Sequence, residues 1–264
     1  MVAVLMQAPG GPLLSVDNVS LSFGGIAALK NVSMAAVEGK VTAIIGPNGA
    51  GKTTLFNAIS GFYRPQSGAI TFGGIDLLGR PMHARSGYGI ARTFQNIALF
   101  SGMTVLENIK LGSHARLATN VFSASIYLGW ADREERALTE RIDRDVIDFL
   151  DLGAVRDHAT AGLNYGVQKR VELARALALQ PRLMMLDEPV AGMNPAEKLE
   201  MAGYIRRCVE ERGMTVLLID HDMETVLGMS HHVVVLNFGS VLAAGAPDDV
   251  RSDPGVIAAY LGDD

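Results

Sequence analysis

Two segments of this 264-residue sequence carry residue types and spacings that could act together on a phosphorylated substrate. The first is Gly46-Pro47-Asn48-Gly49-Ala50-Gly51-Lys52-Thr53. Glycines at these positions let the backbone turn so that successive N–H groups face one concavity, an anion nest at a helix N-terminus. A lysine in the place of Lys52 reaches the β- and γ-phosphates of a nucleotide, and a hydroxyl in the place of Thr53 ligates Mg²⁺. The spacing G-x-x-x-x-G-K-[ST] follows the apolar run Val41–Ile45 and opens a stretch that reads as a helix from Lys52 to Ser60. A glycine-rich turn that binds nothing is disfavoured by that strand–loop–helix frame, and the segment is read as a nucleoside triphosphate site.

The second segment, Leu183-Met184-Met185-Leu186-Asp187-Glu188-Pro189, is an apolar strand ending in two acids. A strand buried on both faces delivers its last residues to the carboxyl edge of a parallel sheet, where ligands bind. Asp187 there could hold Mg²⁺ through water, and Glu188 could polarise an attacking water. The alternative is a strand whose end is merely solvated. A phosphate loop and an acidic strand end do not by themselves separate a kinase from a GTPase, a motor or a pump.

The elements that must position these groups alternate short β-rich runs with amphipathic helices, a pattern of α/β proteins with a largely parallel sheet. Strands are predicted at Leu14–Phe23, Val41–Ile45, Leu183–Asp187, Thr215–Asp220 and Val233–Leu236. Helices are predicted at Ala196–Glu211 and Met223–Met229, and Asn237–Ser240 reads as a turn between two antiparallel strands. From Val105 to Leu152 no strand stands out. There Leu138, Ile142, Val146, Phe149 and Leu150 fall at helical spacing within the charged stretch Asp132–Leu152, so a helical subdomain interrupts the α/β core.

Composition narrows the class. Basic residues number 23 and acidic residues 28, a net charge of −5, which argues against duplex binding and hence against a nucleic-acid partner. Hydrophobic residues make up 48% of the chain, yet no apolar run approaches the ~20 residues of a membrane-spanning helix. The first basic residue is Lys30, so no secretory signal is expected and the location is read as cytoplasmic. The single cysteine, Cys208, lies in a helical pattern and reads as packing. His231-His232 has no third ligand at a suggestive spacing.

From Leu14 to about Leu261 the sequence resembles the ATP-binding subunits of ABC transporters. Beyond the two segments above, Gln95 in Thr93-Phe94-Gln95-Asn96 resembles the family's glutamine loop, which senses the Mg²⁺ site and faces the membrane subunits. Leu163-Asn164-Tyr165-Gly166-Val167-Gln168 occupies the place of the signature segment. His221 resembles the switch histidine, and Phe23 the aromatic residue that stacks on adenine. Ala191-Gly192-Met193-Asn194-Pro195, the Phe-Gly-Gly at Phe23–Gly25, the insert near Asp132 and the tail Val256–Gly262 resemble the larger ATPase of branched-chain amino acid importers. The signature departs from the family pattern: Asn164 replaces the usual Ser, Tyr165 the first Gly, and Val167 the Gln, with Gln168 following.

The resemblance implies an α/β fold: a P-loop NTPase (RecA-like) core, an antiparallel β subdomain and an inserted helical subdomain spanning about 96–162. These form a single ATPase domain over 14–264, preceded by an N-terminal extension, 1–13. It implies ATP and Mg²⁺ as substrate and cofactor, with the phosphates held by Gly46, Pro47, Asn48, Gly49, Ala50, Gly51, Lys52, Thr53 and Thr54. Thr53, Gln95 and Asp187 would surround the metal, Glu188 would orient water and His221 would contact the γ-phosphate. Asn164, Tyr165, Gly166, Val167 and Gln168 would complete the site of a second ATPase subunit. The implied partners are that subunit, two membrane-spanning permeases and, through them, an extracytoplasmic solute-binding protein. The implied location is the cytoplasmic face of the inner membrane, as a peripheral subunit.

Two rival readings stand beside this one. A soluble ABC-type ATPase of translation or DNA repair would carry two cassettes, a long coiled coil or a basic face, and this chain has one phosphate loop and net negative charge. A non-hydrolysing nucleotide-gated regulator is compatible with Asn164, Val167 and Asn194 but gives no role to Glu188 and His221.

Overall fold

A computed structural model of the chain describes residues 11–95, 97–113 and 128–261. The expected N-terminal extension as far as residue 10, Asn96 beside the glutamine loop, and Gly262 of the tail lie outside the described residues. Two compact units make up the chain: one comprises residues up to Arg85 together with Arg182 onward, the other Ser86–Pro181.

The first unit contains two sheets. In one, β1 (Pro12–Phe23) pairs antiparallel with both β2 (Ile26–Val37) and β4 (Ser67–Phe72), and the two-residue β5 (Ile75–Asp76) extends β4. β1 opens two residues before the expected Leu14, because Pro12 pairs with Val37 and the Glu38 amide donates to Gly11 O at 3.2 Å. Its alternation of buried Leu14, Val16, Val19 and Leu21 with more exposed residues is that of a sheet covered on one face.

The second sheet has β3 (Val41–Ile45) between β8 (Thr215–Ile219) and β9 (His232–Asn237), with β7 (Leu183–Asp187) beyond β8 and the antiparallel β10 (Ser240–Gly245) beyond β9. β3, β7 and β8 are buried along their whole length, which explains their unbroken apolar sequences. The parallel register sets Asp187 beside Ile219 and Ile219 beside Ile44, so three strand ends emerge together at one edge. β8 stops at Ile219, one residue short of expectation, because the Asp220 carboxylate turns onto the amides that follow it.

Helices α1 (Lys52–Ser60), α6 (Pro195–Glu210), α7 (Met223–Met229), α8 (Pro247–Ser252) and α9 (Pro254–Leu261) complete this unit. Asn194 caps α6 in a reciprocal capping box with Glu197, both bonds 3.0 Å. Cys208 is buried inside α6, and burial pushes its thiol up to about 12, in keeping with a packing role. The short α2 (Ala84–Gly87) follows the first sheet.

The second unit holds β6 (Ile90–Arg92) and helices α3 (Val105–Ser113), α4 (Leu128–Ile142) and α5 (Tyr165–Leu177). The predicted apolar face is present: Leu138, Ile142, Val146, Phe149 and Leu150 are all buried. The charged stretch is not one continuous helix, however. α4 ends at Ile142, a wider turn spans Asp143–Ile147, and Asp151 takes φ +51° where the chain reverses. Arg156 secures that reversal with a bidentate pair to Asp143 at 2.7 and 2.9 Å. α3 crosses α5 so closely that a Cβ on Gly112 would lie 2.0 Å from the Arg175 carbonyl oxygen.

Candidate functional site: the phosphate loop and the strand ends beside it

The loop from Gly46 to Gly51 emerges from the buried end of β3 and turns into α1. Gly46 has φ +146°, and a Cβ there would meet Leu236 O at 2.1 Å; only glycine fits this start. Ala50 N donates to Pro47 O at 3.2 Å, and the β9–β10 turn braces the loop through Gly239 N to Ala50 O at 3.0 Å. Gly51 enters the helix at φ +103°, with no side chain capping α1 and no acidic residue in its first turn. The first N–H groups of α1 therefore face outward with the positive end of the helix dipole, suited to an anion. Thr53 is exposed at that end and Thr54 partly so.

Lys52 curls over the loop, its Nζ donating to Gly46 O at 2.6 Å and Pro47 O at 2.9 Å. Partial burial lowers its pKa, and the Glu188 carboxylate opposes that shift. That pairing spans two strand spacings, roughly 10 Å along the sheet edge, a gap a long lysine side chain narrows.

Asp187 ends β7 and is buried. Glu188 follows in the left-handed region at φ +50°, its amide donating to Ile219 O at 2.8 Å. A non-glycine residue held there stores strain that the surrounding bonds must offset, a pattern that concentrates at functional positions. His221, on the neighbouring strand end, has a side chain 65% exposed and its Nδ1 4.0 Å from Glu188 Oε1. One group beneath them went unassigned in the sequence. The buried Asp220 accepts from His221 N at 2.8 Å and Asp222 N at 3.1 Å through Oδ1, and from Val190 N at 3.1 Å through Oδ2. Its place after an apolar strand was legible, but the target of its carboxylate was not.

Phe23 sits where β1 turns through Gly24 (φ +52°) and Gly25 (φ +87°) into β2, and the residue is 45% exposed. It forms a T-shaped pair with Tyr63, with centroids 4.9 Å apart and planes at 71°. Gln66 bonds both backbone groups of Ser22, at 2.9 and 3.0 Å, and fixes the residue before the ring. No motif marked Tyr63 or Gln66.

In the other unit, Asn164 caps α5, its Oδ1 accepting from Val167 N at 2.9 Å, while Tyr165 and Gly166 form the first turn. Gln168 turns back, Nε2 donating to Leu163 O at 2.8 Å, so its side chain serves its own chain. Gln95 is exposed, and its carbonyl accepts from Lys169 Nζ at 3.2 Å. Among the described residues no cluster of three or more His, Cys, Asp or Glu side chains could hold a metal by itself.

A family profile described as "ABC transporter" matches residues 29–191, which holds the phosphate loop, Gln95, the signature segment and Asp187-Glu188. The chain belongs to the ABC transporter family. A second profile, "Branched-chain amino acid ATP-binding cassette transporter", matches the tail of the cassette at residues 240–264. The cassette is 42% identical over 255 residues to the high-affinity branched-chain amino acid transport ATP-binding protein LivG of Salmonella typhimurium, covering 96% of this chain and 98% of that one. Among solved structures it resembles the ADP conformation of an ATP-binding cassette of an ABC transporter, with a TM-score of 0.83, 33% identity and coverage of 96% and 100%. It also resembles a dimeric, post-hydrolysis cassette bound to ADP and Pi, with a TM-score of 0.72, 25% identity and coverage of 89% and 98%. The nucleotide for which the ABC cassette's phosphate loop is built is therefore ATP.

Proposed function

We propose that this chain is the ATP-hydrolysing subunit of a membrane importer for branched-chain or related amino acids, working in a dimer of ATPase subunits. The observation that carries hydrolysis is the convergence of the Lys52 loop, Glu188 and His221 at the ends of parallel strands β3, β7 and β8, with His221 Nδ1 4.0 Å from Glu188 Oε1. A nucleotide-gated regulator that never hydrolysed gives no role to Glu188 and His221, which lie 4.0 Å apart. The solute class rests on the similarity to LivG and on the tail profile.

In this reading the α1 N-terminus and Lys52 take up the phosphate charge, and Phe23 stacks on adenine. The donor set suits Mg²⁺, which favours a few hard oxygen ligands and keeps its waters: the Thr53 hydroxyl and the Asp187 carboxylate are of that kind. Mg²⁺ bound there would neutralise charge developing on the transferred phosphoryl group. Glu188 accepts a proton from the attacking water, and His221, steadied by Asp220, donates toward the γ-phosphate. Catalysis is thus positioning plus charge stabilisation. Asn164 and Gly166 act on ATP held by the second subunit, and the dimeric relative supports the pairing of two cassettes. Among the described residues no helix is long and apolar enough to cross a membrane. The permeases supply the spanning segments, and the cassette sits against them as a peripheral subunit near Gln95.

Glu188→Gln in the purified transporter tests the reading. Steady-state phosphate release should fall by about a thousandfold, the scale seen when one catalytic group is removed, while ATP still binds. Near-normal release would overturn the assignment of Glu188. Stimulation of the parent enzyme by leucine with its binding protein, and not by unrelated solutes, checks the solute class.

A further inference from the structure

The last turn of α9 brings a tyrosine to the first residue of the phosphate loop. The Tyr260 hydroxyl is buried and has no hydrogen-bond partner. Burial pushes its pKa up to about 12, and the Gly46 backbone opposes that rise. A backbone group that lowers the pKa of a phenol is an N–H turned toward its oxygen. The Gly46 amide therefore faces Tyr260 Oη but stops short of hydrogen-bonding geometry. Few buried polar groups in a folded protein stay unpartnered, and leaving one so costs stability that pairing would restore.

Both sides of this gap have room to close it. α9 is fixed at its far end, where Asp253 Oδ1 accepts from Gly255 N at 2.7 Å and Val256 N at 3.1 Å and where Val256 is buried. Nearer its other end, Ile257 and Tyr260 line a cavity of about 720 Å³ shared with α7 and α8. A close-packed helix cannot tilt without displacing its neighbours, whereas one that borders a cavity can. On the loop side, Lys52 gives two of its three donors to Gly46 O and Pro47 O. A triphosphate competes for the same ammonium, and its capture releases the Gly46 carbonyl. Gly46, with no Cβ, can then adjust its amide.

We propose that Tyr260 is a positioning residue for the phosphate loop: when ATP draws Lys52 onto its phosphates, the Gly46 amide donates to Tyr260 Oη and α9 closes against the loop. Tyr260 touches no nucleotide and acts through Gly46. The coupling runs both ways, since whatever closure adds to ATP affinity, ATP adds to closure. The tail matched by the branched-chain profile, residues 240–264, thereby acquires a task at the nucleotide site. The inference rests on the reading of Gly46–Thr53 as an ATP site and is independent of the solute class.

The test compares Tyr260→Phe with the parent in the purified transporter, a change that keeps the ring and removes only the hydroxyl. KM for ATP should rise by about fivefold, the worth of one hydrogen bond. The kcat should hold within about twofold, because Glu188 and His221 are untouched. ATP should slow amide deuterium exchange across residues 255–261 of the parent by about threefold or more, and should leave that of Tyr260→Phe unchanged. Without nucleotide the melting temperature should hold or rise, since the change deletes an unsatisfied buried group. A hydroxyl with a merely structural role would lower it. An unchanged KM overturns the proposal, as does a lower nucleotide-free melting temperature or tail exchange in the parent that ignores ATP. Failure of the underlying reading looks different: the parent itself would then bind no ATP.

Discussion

Asp220 reaches back thirty positions to Val190: its Oδ2 accepts from the Val190 amide at 3.1 Å, while Oδ1 takes the amides of His221 and Asp222. One buried carboxylate thus fixes the backbone after Glu188 to the backbone that carries His221. The 4.0 Å separation of those two side chains is a consequence of this bond, because each sits within two residues of an amide that Asp220 holds.

Asp220→Asn should therefore damage turnover more than nucleotide binding. An amide side chain offers one acceptor where the carboxylate uses two, leaving a donor facing donors. Losing one such charge-assisted bond costs about 2 kcal/mol in stability, and kcat should fall by about tenfold to a hundredfold if the geometry loosens by half an ångström or more. ATP affinity, set by the phosphate loop, should stay near that of the parent. Equilibrium nucleotide binding and steady-state phosphate release, measured side by side, check the split.

Phe23 and Tyr63 should differ in the size of their effects. A ring stacked on a base contributes about 1–3 kcal/mol, so Phe23→Ala should weaken ATP binding by about tenfold or more. Tyr63 forms the T-shaped pair with Phe23 and orients it. An aromatic pair of this kind is worth about 0.5–1.5 kcal/mol, so Tyr63→Ala should weaken binding by about threefold and add little to Phe23→Ala. Titration with a fluorescent ATP analogue across the two single variants and the double variant measures this.

Gly112→Ala should unfold the second unit more easily. The added Cβ would lie 2.0 Å from the backbone oxygen of Arg175, which no side-chain rotation relieves. Forcing α3 and α5 apart costs about 1–3 kcal/mol or more, and with it the melting temperature drops. Gly153→Ala, where nothing lies within 4 Å of the new Cβ, is the matched control and should leave the melting temperature nearly unchanged.

Acid should release the start of α7. Asp222 hydrogen-bonds to Lys198 and accepts from Thr225 N at 3.0 Å, which holds its carboxyl down at about 2. A carboxylate whose folded pKa lies below its unfolded value near 4 adds stability above that value and loses it as pH falls from about 4 to about 2. Lys198→Met should therefore melt below the parent at pH 7, with the gap closing toward pH 2. A gap independent of pH would show that Lys198 acts by packing instead.

Much of this was legible from the chain alone. The loop between β3 and α1 was visible because glycines at fixed spacing mark such a turn within a few positions, and β3, β7 and α1 have the predicted bounds because burial on both faces or a helix start leaves a local signature. The apolar stripe from Leu138 to Leu150 was visible for the same reason. Periodicity was blind to the wide helical turn at Asp143–Ile147, which keeps the apolar face while ending the regular α-helix, and Arg156 fixes it from thirteen positions away.

Only the tertiary structure decided which partners the polar groups take. Asp220, Tyr63 and Gln66 carry no motif, since their targets are backbone atoms or rings distant in sequence. Backbone atoms are the same at every residue, so a side chain that binds them leaves no complementary residue to be read. The sequence by itself determined the chemistry proposed for this protein, a nucleoside triphosphate site with a glutamate beside it. The fold determined how that glutamate is held, because the parallel register of β3, β8 and β7 brings Gly46, His221 and Glu188 to one edge from separate stretches of chain.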